Sequence, residues 1–172
     1  MEKINRVSLR LLKNTKDLVG VEIGFNEGVN AENIIENLDI QKLYVIDPYE
    51  SYTHFKQENI DRWKEKGLLI LEKYKDKIIL IEKKSVDAID LIPDNLDFVY
   101  IDGDHEYSSV FCDLMSYTNK IKKGGLLCGD NFECMTVRCA IYDFIVFERK
   151  DLLLDGIEDN IDKSIDWWIW KR

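Results

Sequence analysis

Short apolar runs alternate with amphipathic stretches along this chain. Val19–Ile23, Lys42–Ile46, Ile78–Ile81, Leu96–Ile101 and Leu126–Cys128 are brief and mostly β-branched or aromatic, which predicts buried strands. Helical spacing fills the gaps. Ile4, Val7, Leu11 and Leu12 predict a leading helix over 4–14, and a second helix runs from Val29 through Glu32 to Leu38. Ile60, Trp63, Leu68 and Leu71 anchor a long helix over 58–74, where Gly67 predicts a break. Val110, Leu114, Tyr117 and Ile121 mark a helix over 108–121, which Lys122, Lys123, Gly124 and Gly125 would cap. A further amphipathic helix covers 135–150, and two last strands fit 152–154 and 165–170 with 156–163 as the loop between them. Five strands alternating with helices predict a mainly parallel α/β sheet. The last two lack an intervening helix and predict an antiparallel hairpin on one edge, seven strands in all.

Chemistry gathers just after the predicted strands. The first strand runs into Gly24, Phe25, Asn26, Glu27 and Gly28 before a helix, which is the form of a nucleotide cradle. About twenty residues on, the second strand ends at Asp47 and Pro48, where an acidic group can take ribose hydroxyls. The dinucleotide fingerprint G-x-G-x-x-G is absent, since the spacing is Gly24-x-x-x-Gly28. Glu22 and Glu27 would repel a pyrophosphate and favour a ligand with a sulfonium and an ammonium, which points to S-adenosylmethionine rather than NAD. Ser85 follows the third strand and is a candidate adenine contact and, compatibly, a candidate helix N-cap. Residues 49–55 are aromatic and polar and would lie over the strand ends; His54 there reads as a surface residue. Asp102 and the pair Asp130-Asn131 end the fourth and fifth strands, and such oxygens without cysteine suit Mg²⁺, with Mn²⁺ or Ca²⁺ as alternatives.

The 172 residues fit one domain over 1–172, and 45% hydrophobic with 33% charged content describes an ordinary soluble globule. A net charge of −9 argues against nucleic acid. No apolar run is long enough for a membrane span, and the charged start argues against a signal peptide. Cysteines at 112, 128, 134 and 139 form no C-x-x-C pair, which fits reduced thiols in the cytoplasm. Only about 17 residues precede the first strand, so a substrate cover is expected from loops at 49–55 and 132–136 or from another subunit.

Four segments together resemble the class I S-adenosylmethionine-dependent methyltransferases: Val21-Glu22-Ile23-Gly24 with Gly28, Val45 to Tyr49, Tyr100 to Tyr107, and Lys123 to Asn131. They are most similar to small macrocin-type and aminocoumarin sugar O-methyltransferases, and more distantly to catechol O-methyltransferase. The resemblance implies a Rossmann-like sheet with helices on both faces. It implies that Glu22, Gly24, Phe25, Asn26, Gly28, Asp47, Pro48, Ser85 and Asp102 hold the cofactor. Asp102, Asp130 and Asn131 match the family's metal positions for Mg²⁺ or Mn²⁺, and the proton acceptor matches either Asp104 or His105. The imidazole is the better placed in pKa.

The resulting expectation is metal-assisted O-methylation of a hydroxyl on a sugar or other small molecule. Homo-oligomerisation is left open, and the Trp-rich end at 167–170 is a candidate contact. The alternatives are a metal-independent methyltransferase, an NAD-type oxidoreductase, and a cofactor-binding or interaction domain without turnover.

Overall fold

The computed structural model describes residues 4–51, 55–160 and 162–172. Residues 52–54, including His54 and part of the aromatic segment, lie outside the described residues. The strands are β1 (Leu18–Ile23), β2 (Ile40–Ile46), β3 (Ile78–Ile81), β4 (Leu96–Ile101), β5 (Ile121–Gly129), β6 (Gly156–Asp159) and β7 (Ile165–Trp170). The helices are α1 (Val29–Asn37), α2 (Gln57–Lys73), α3 (Ser85–Ala88), α4 (Tyr107–Tyr117) and α5 (Met135–Asp143).

The seven strands form one sheet in the order β3-β2-β1-β4-β5-β7-β6. β1 to β5 run parallel, and β7 is antiparallel to both β5 and β6. Alternation along the strands sends side chains to opposite faces. Val21, Ile23, Val99 and Ile101 pack with Val110, Leu114, Val137 and Ala140 of α4 and α5. Leu43, Val45, Phe98 and Tyr100 pack with Leu9, Ala31, Ile34 and Ile60 on the other face. Helices thus cover both faces, and the parallel strands deliver their carboxyl ends to one edge.

Several local expectations shift. The leading helix is a 3-10 turn over Ser8–Leu12, and α5 ends in a π-type turn over Phe144–Glu148. Lys122 to Gly125 belong to β5 rather than to a helix cap: pairing slips between Leu96↔Ile121 and Phe98↔Leu126, which makes a bulge. The sixth strand is Gly156–Asp159, inside the expected loop, while residues 152–154 form no strand. Tyr49 explains the remaining difference, an α2 that runs unbroken through Gly67. A Cβ at Gly67 would stand 2.8 Å from Tyr49 Oη, 2.9 Å from the Asn26 carbonyl and 3.0 Å from the Phe25 ring. The residue lets α2 approach the β1–α1 loop, so it is a contact point and not a breaker.

A buried polar clasp ties the start of the chain to the β6–β7 hairpin. Asp166 accepts hydrogen bonds from Ser8 N (2.9 Å), Ser8 Oγ (2.5 Å), Tyr100 Oη (3.0 Å) and Asn160 Nδ2 (2.6 Å). Asn160 Oδ1 in turn accepts the Val7 amide at 2.9 Å.

In a free helix, replacing glycine by alanine gains about 1 kcal/mol. At Gly67 the sign is predicted to reverse, with Gly67→Ala destabilising by about 1–3 kcal/mol in urea denaturation because a backbone carbonyl blocks the methyl. A stabilised variant would show that α2 can retreat freely from the loop.

Candidate functional site

β1 and β4 meet at their carboxyl ends. Gly24 leaves β1 with φ +95°, and a Cβ there would lie 1.9 Å from the Asp102 carbonyl oxygen, so only glycine fits. The Gly24 amide donates to Ile46 O at 2.8 Å, and the Asp102 amide donates to Ile23 O at 2.8 Å. Gly28, at φ +79°, then starts α1. This knot separates two cavities that share Gly24, Asn26 and Trp63 in their walls. One, of about 340 Å³, is lined by Arg6, Glu22, Phe25, Asn30 and Asp102 among others. The second, of about 440 Å³, is lined by Asp47, Pro48, Ser85, Asp104 and Asp113 among others.

Each cavity holds one buried acceptor without a partner. Among the described residues, the buried side-chain atoms that lack a hydrogen bond are Glu22 Oε2 and Asp113 Oδ1. Glu22 is 1% exposed; its Oε1 accepts from Asn30 Nδ2 at 2.9 Å, and burial pushes its carboxyl up to about 8 against that bond. Burial likewise pushes Asp113 up to about 7, with a hydrogen bond from Ser85 opposing. An unpaired buried acceptor is expensive, so both atoms point to donors that a ligand brings.

Asp47 belongs to the wall of the second cavity. Its Oδ2 accepts the Asn26 amide and its Oδ1 the Tyr49 amide, both at 2.8 Å, which fixes the carboxylate and leaves lone pairs for hydroxyl donors. Ser85 opens α3, with Lys84 in the N-cap position, and its carbonyl accepts from Tyr117 Oη at 2.7 Å. Phe25 is buried and packs against Gly28 and Gly67, so it floors the loop as a core residue.

The residues beyond β4 and β5 are arranged differently from the expectation. Asp104 Oδ1 accepts the Glu106 amide at 3.2 Å and its Oδ2 accepts from Ser109 Oγ at 2.9 Å, which secures the start of α4. His105 Nε2 lies 3.6 Å from Asp102 Oδ1, and Asp102 raises the imidazole above its usual value. Between Asp102 and Asp130 stands Arg6. Its Nη1 lies 2.6 Å from Asp130 Oδ2 and its Nη2 3.7 Å from Asp102 Oδ2. Nη1 also reaches Asp162 Oδ2 at 3.3 Å and Ser164 Oγ at 2.9 Å. Asn131 turns its Nδ2 toward Glu133 Oε1 at 3.4 Å. Among the described residues, no three His, Cys, Asp or Glu side chains converge as a metal requires. The expected set of Asp102, Asp130 and Asn131 does not fit a divalent ion as folded, because a guanidinium holds the point between its carboxylates.

Arg6, Asp113 and Asn30 went unseen in the sequence reading. Asp113 left a trace, a carboxylate on the same helical face as Val110, Leu114 and Tyr117. Arg6 left none, because its partners lie more than ninety residues away.

The methyltransferase-domain family model matches residues 21–132. An uncharacterized protein of Acanthamoeba polyphaga mimivirus is 30% identical over 118 residues, 68% of this chain and 52% of that protein. The chain therefore spans about half the length of that relative. In solved structures, SMU.1697c of Streptococcus mutans, in complex with SAH, superposes with a TM-score of 0.70 at 12% identity, covering 100% of this chain and 99% of that one. A precorrin-6y methyltransferase from Geobacter metallireducens gives 0.71 at 14%, covering 96% and 85%. An rRNA methylase from Streptococcus thermophilus gives 0.68 at 10%, covering 95% and 92%. At these identities the structures speak for the fold, whereas the family match covers most of the chain and every strand end of the site up to Phe132. The chain belongs to the methyltransferase-domain family.

Proposed function

We propose that this protein transfers a methyl group from S-adenosylmethionine to a hydroxyl oxygen of a small molecule, a sugar being the class that the resemblance to macrocin-type enzymes favours. The observation that carries the reading is the pair of unpartnered buried acceptors, one in the wall of each cavity. Glu22 Oε2 suits the ammonium of the methionine part, and Asp113 Oδ1 suits the exocyclic amine of adenine. Asp47, in the wall of the second cavity, suits the ribose hydroxyls. When bound, the cofactor supplies an electrophilic methyl on a positively charged sulfur.

The remaining work falls to the chain. His105 accepts the proton of the acceptor hydroxyl, since Asp104 is engaged at the start of α4, and Asp102 orients the imidazole. Alignment of the acceptor in a walled cleft supplies much of the rate. The net charge of −9 favours a small acceptor over a nucleic acid. The cytoplasmic setting expected from the cysteine spacing is part of this reading; among the described residues no helix is long and apolar enough to cross a membrane. The resemblance implies Mg²⁺ or Mn²⁺ at Asp102, Asp130 and Asn131, but the Arg6 geometry favours the metal-independent alternative, and no step here uses an ion.

S-Adenosylhomocysteine is expected to bind metal-free protein at micromolar concentration in calorimetric titration, with NADH giving no heat. Asp47→Ala should weaken that binding about ten- to a hundredfold, the effect of losing hydrogen bonds to a charged group. No binding to the unaltered protein would remove the cofactor assignment. With binding in hand, methylated product is expected from a panel of hydroxylated acceptors.

A second expectation concerns pH. Burial pushes the Glu22 carboxyl from its ordinary value of about 4.5 up to about 8. The folded form therefore keeps a proton that the unfolded chain releases. Its stabilising effect is complete below about 4.5 and lost as pH rises through about 8, on the order of a few kcal/mol. Urea denaturation of ligand-free protein across that window should show the decline, and Glu22→Gln should flatten it. Identical profiles would mean that Glu22 is already ionised in the fold.

A further inference from the structure

Arg6 stands in the wall of the first cavity with an unusually complete set of partners. Asp102 ends β4, Asp130 ends β5, and Asp162 and Ser164 come from the β6–β7 turn. Its side chain is 15% exposed, so this is not a flexible surface pairing. A guanidinium presents five N–H groups in a rigid fork and stays charged at any working pH, so one side chain can meet several carboxylates at once. The backbone that carries it is held as well: the amides of Val7 and Ser8 donate to Asn160 and Asp166 at 2.9 Å each. The next residues in the chain are thus fixed by the same hairpin that supplies Asp162.

A divalent ion bound to Asp102 and Asp130 would need both carboxylates, and the guanidinium would have to leave. Departure would cost Asp162 and Ser164 one partner each and strand a cation beside the clasp. Two cations cannot share the point, because like charges at this spacing repel strongly away from bulk water. We infer that Arg6 is the resident cation of this cleft: it takes the position of the divalent ion between Asp102 and Asp130, and the site works without a metal. Arg6 acts there as a positioning residue. It neutralises Asp130, and it holds Asp102 from the side opposite His105, so the imidazole keeps its orientation. Its role as part of a catalytic centre rests on the methyltransferase reading, whereas its exclusion of metal does not.

The experiment is an electron paramagnetic resonance titration of Mn²⁺ into chelator-treated protein. It compares the unaltered chain, Asp130→Asn, Arg6→Gln, and Arg6→Gln combined with Asp130→Asn. The unaltered chain is expected to bind no Mn²⁺ at millimolar concentration. Its affinity for S-adenosylhomocysteine should be the same with Mg²⁺ or with chelator. Arg6→Gln, confirmed folded by circular dichroism, should bind Mn²⁺ at least about tenfold more tightly, and the added Asp130→Asn should abolish that gain. Stoichiometric Mn²⁺ on the unaltered chain, lost in Asp130→Asn, would overturn the inference. A folded Arg6→Gln protein that gains no Mn²⁺ would overturn the exchange of one cation for the other. Where Arg6→Gln does not fold, the unaltered chain decides alone. Failure of the homocysteine compound to bind, with the Mn²⁺ results as expected, would strike the proposed function and leave the resident cation standing.

Discussion

Carboxylates withdrawn from water must find hydrogen bonds or opposite charge, and the carboxyl edge of this sheet is built around that requirement. Glu22, Asp113, Asp130 and Asp166 are all buried there or close by. Their solutions differ. Asp166 is satisfied by four donors from three separate parts of the chain. Asp130 has Arg6 and the Asn131 amide. Glu22 and Asp113 each keep one oxygen without a partner. The contrast follows the cavities: Asp166, away from them, has its hydrogen bonds completed, whereas Glu22 and Asp113, which line them, keep an open oxygen.

The clasp explains how an arginine near the start of the chain reaches strand ends formed much later. β6 and β7 share one turn, and that turn supplies Asn160, Asp162 and Ser164 within five residues. These three and Asp166 bind the backbone of residues 7 and 8 and the head of Arg6. The antiparallel hairpin therefore does more than protect the β5 edge. It closes the Arg6 side of the first cavity by holding a segment that helical propensity alone would not fix, since only a 3-10 turn forms there.

Much of the architecture was legible because it is governed by local pattern. Apolar runs of the right length marked β1 to β5 and β7, and residues that follow them fell at one edge, which put Gly24, Asp47, Ser85 and Asp102 around one cleft. What escaped depends on partners distant in sequence. Gly67 read as a helix breaker because its neighbours Tyr49 and Asn26 were invisible to periodicity. Lys122 to Gly125 read as a cap because a bulge is a property of the pairing with β4. β6 was missed because its burial is slight: Glu158 and Asp159 face solvent, so no alternation announced it. Asp102 and Asp130 were legible as acids at adjacent strand ends, but nothing local revealed which cation answers them.

That cation also reaches the other end of the first cavity. Asp102 makes ionisation of Glu22 harder, and Arg6 makes it easier. With its guanidinium fixed, Arg6 offsets part of the repulsion that a newly ionised Glu22 would feel from Asp102. A loosely held or exchangeable ion would make that offset depend on metal supply, whereas an arginine anchored by Asp162 and Ser164 makes it a constant of the fold. The same residue therefore acts on both carboxylates: it steadies Asp102 beside His105, and it lowers the electrostatic barrier to charging Glu22, which the proposed cationic cofactor would require.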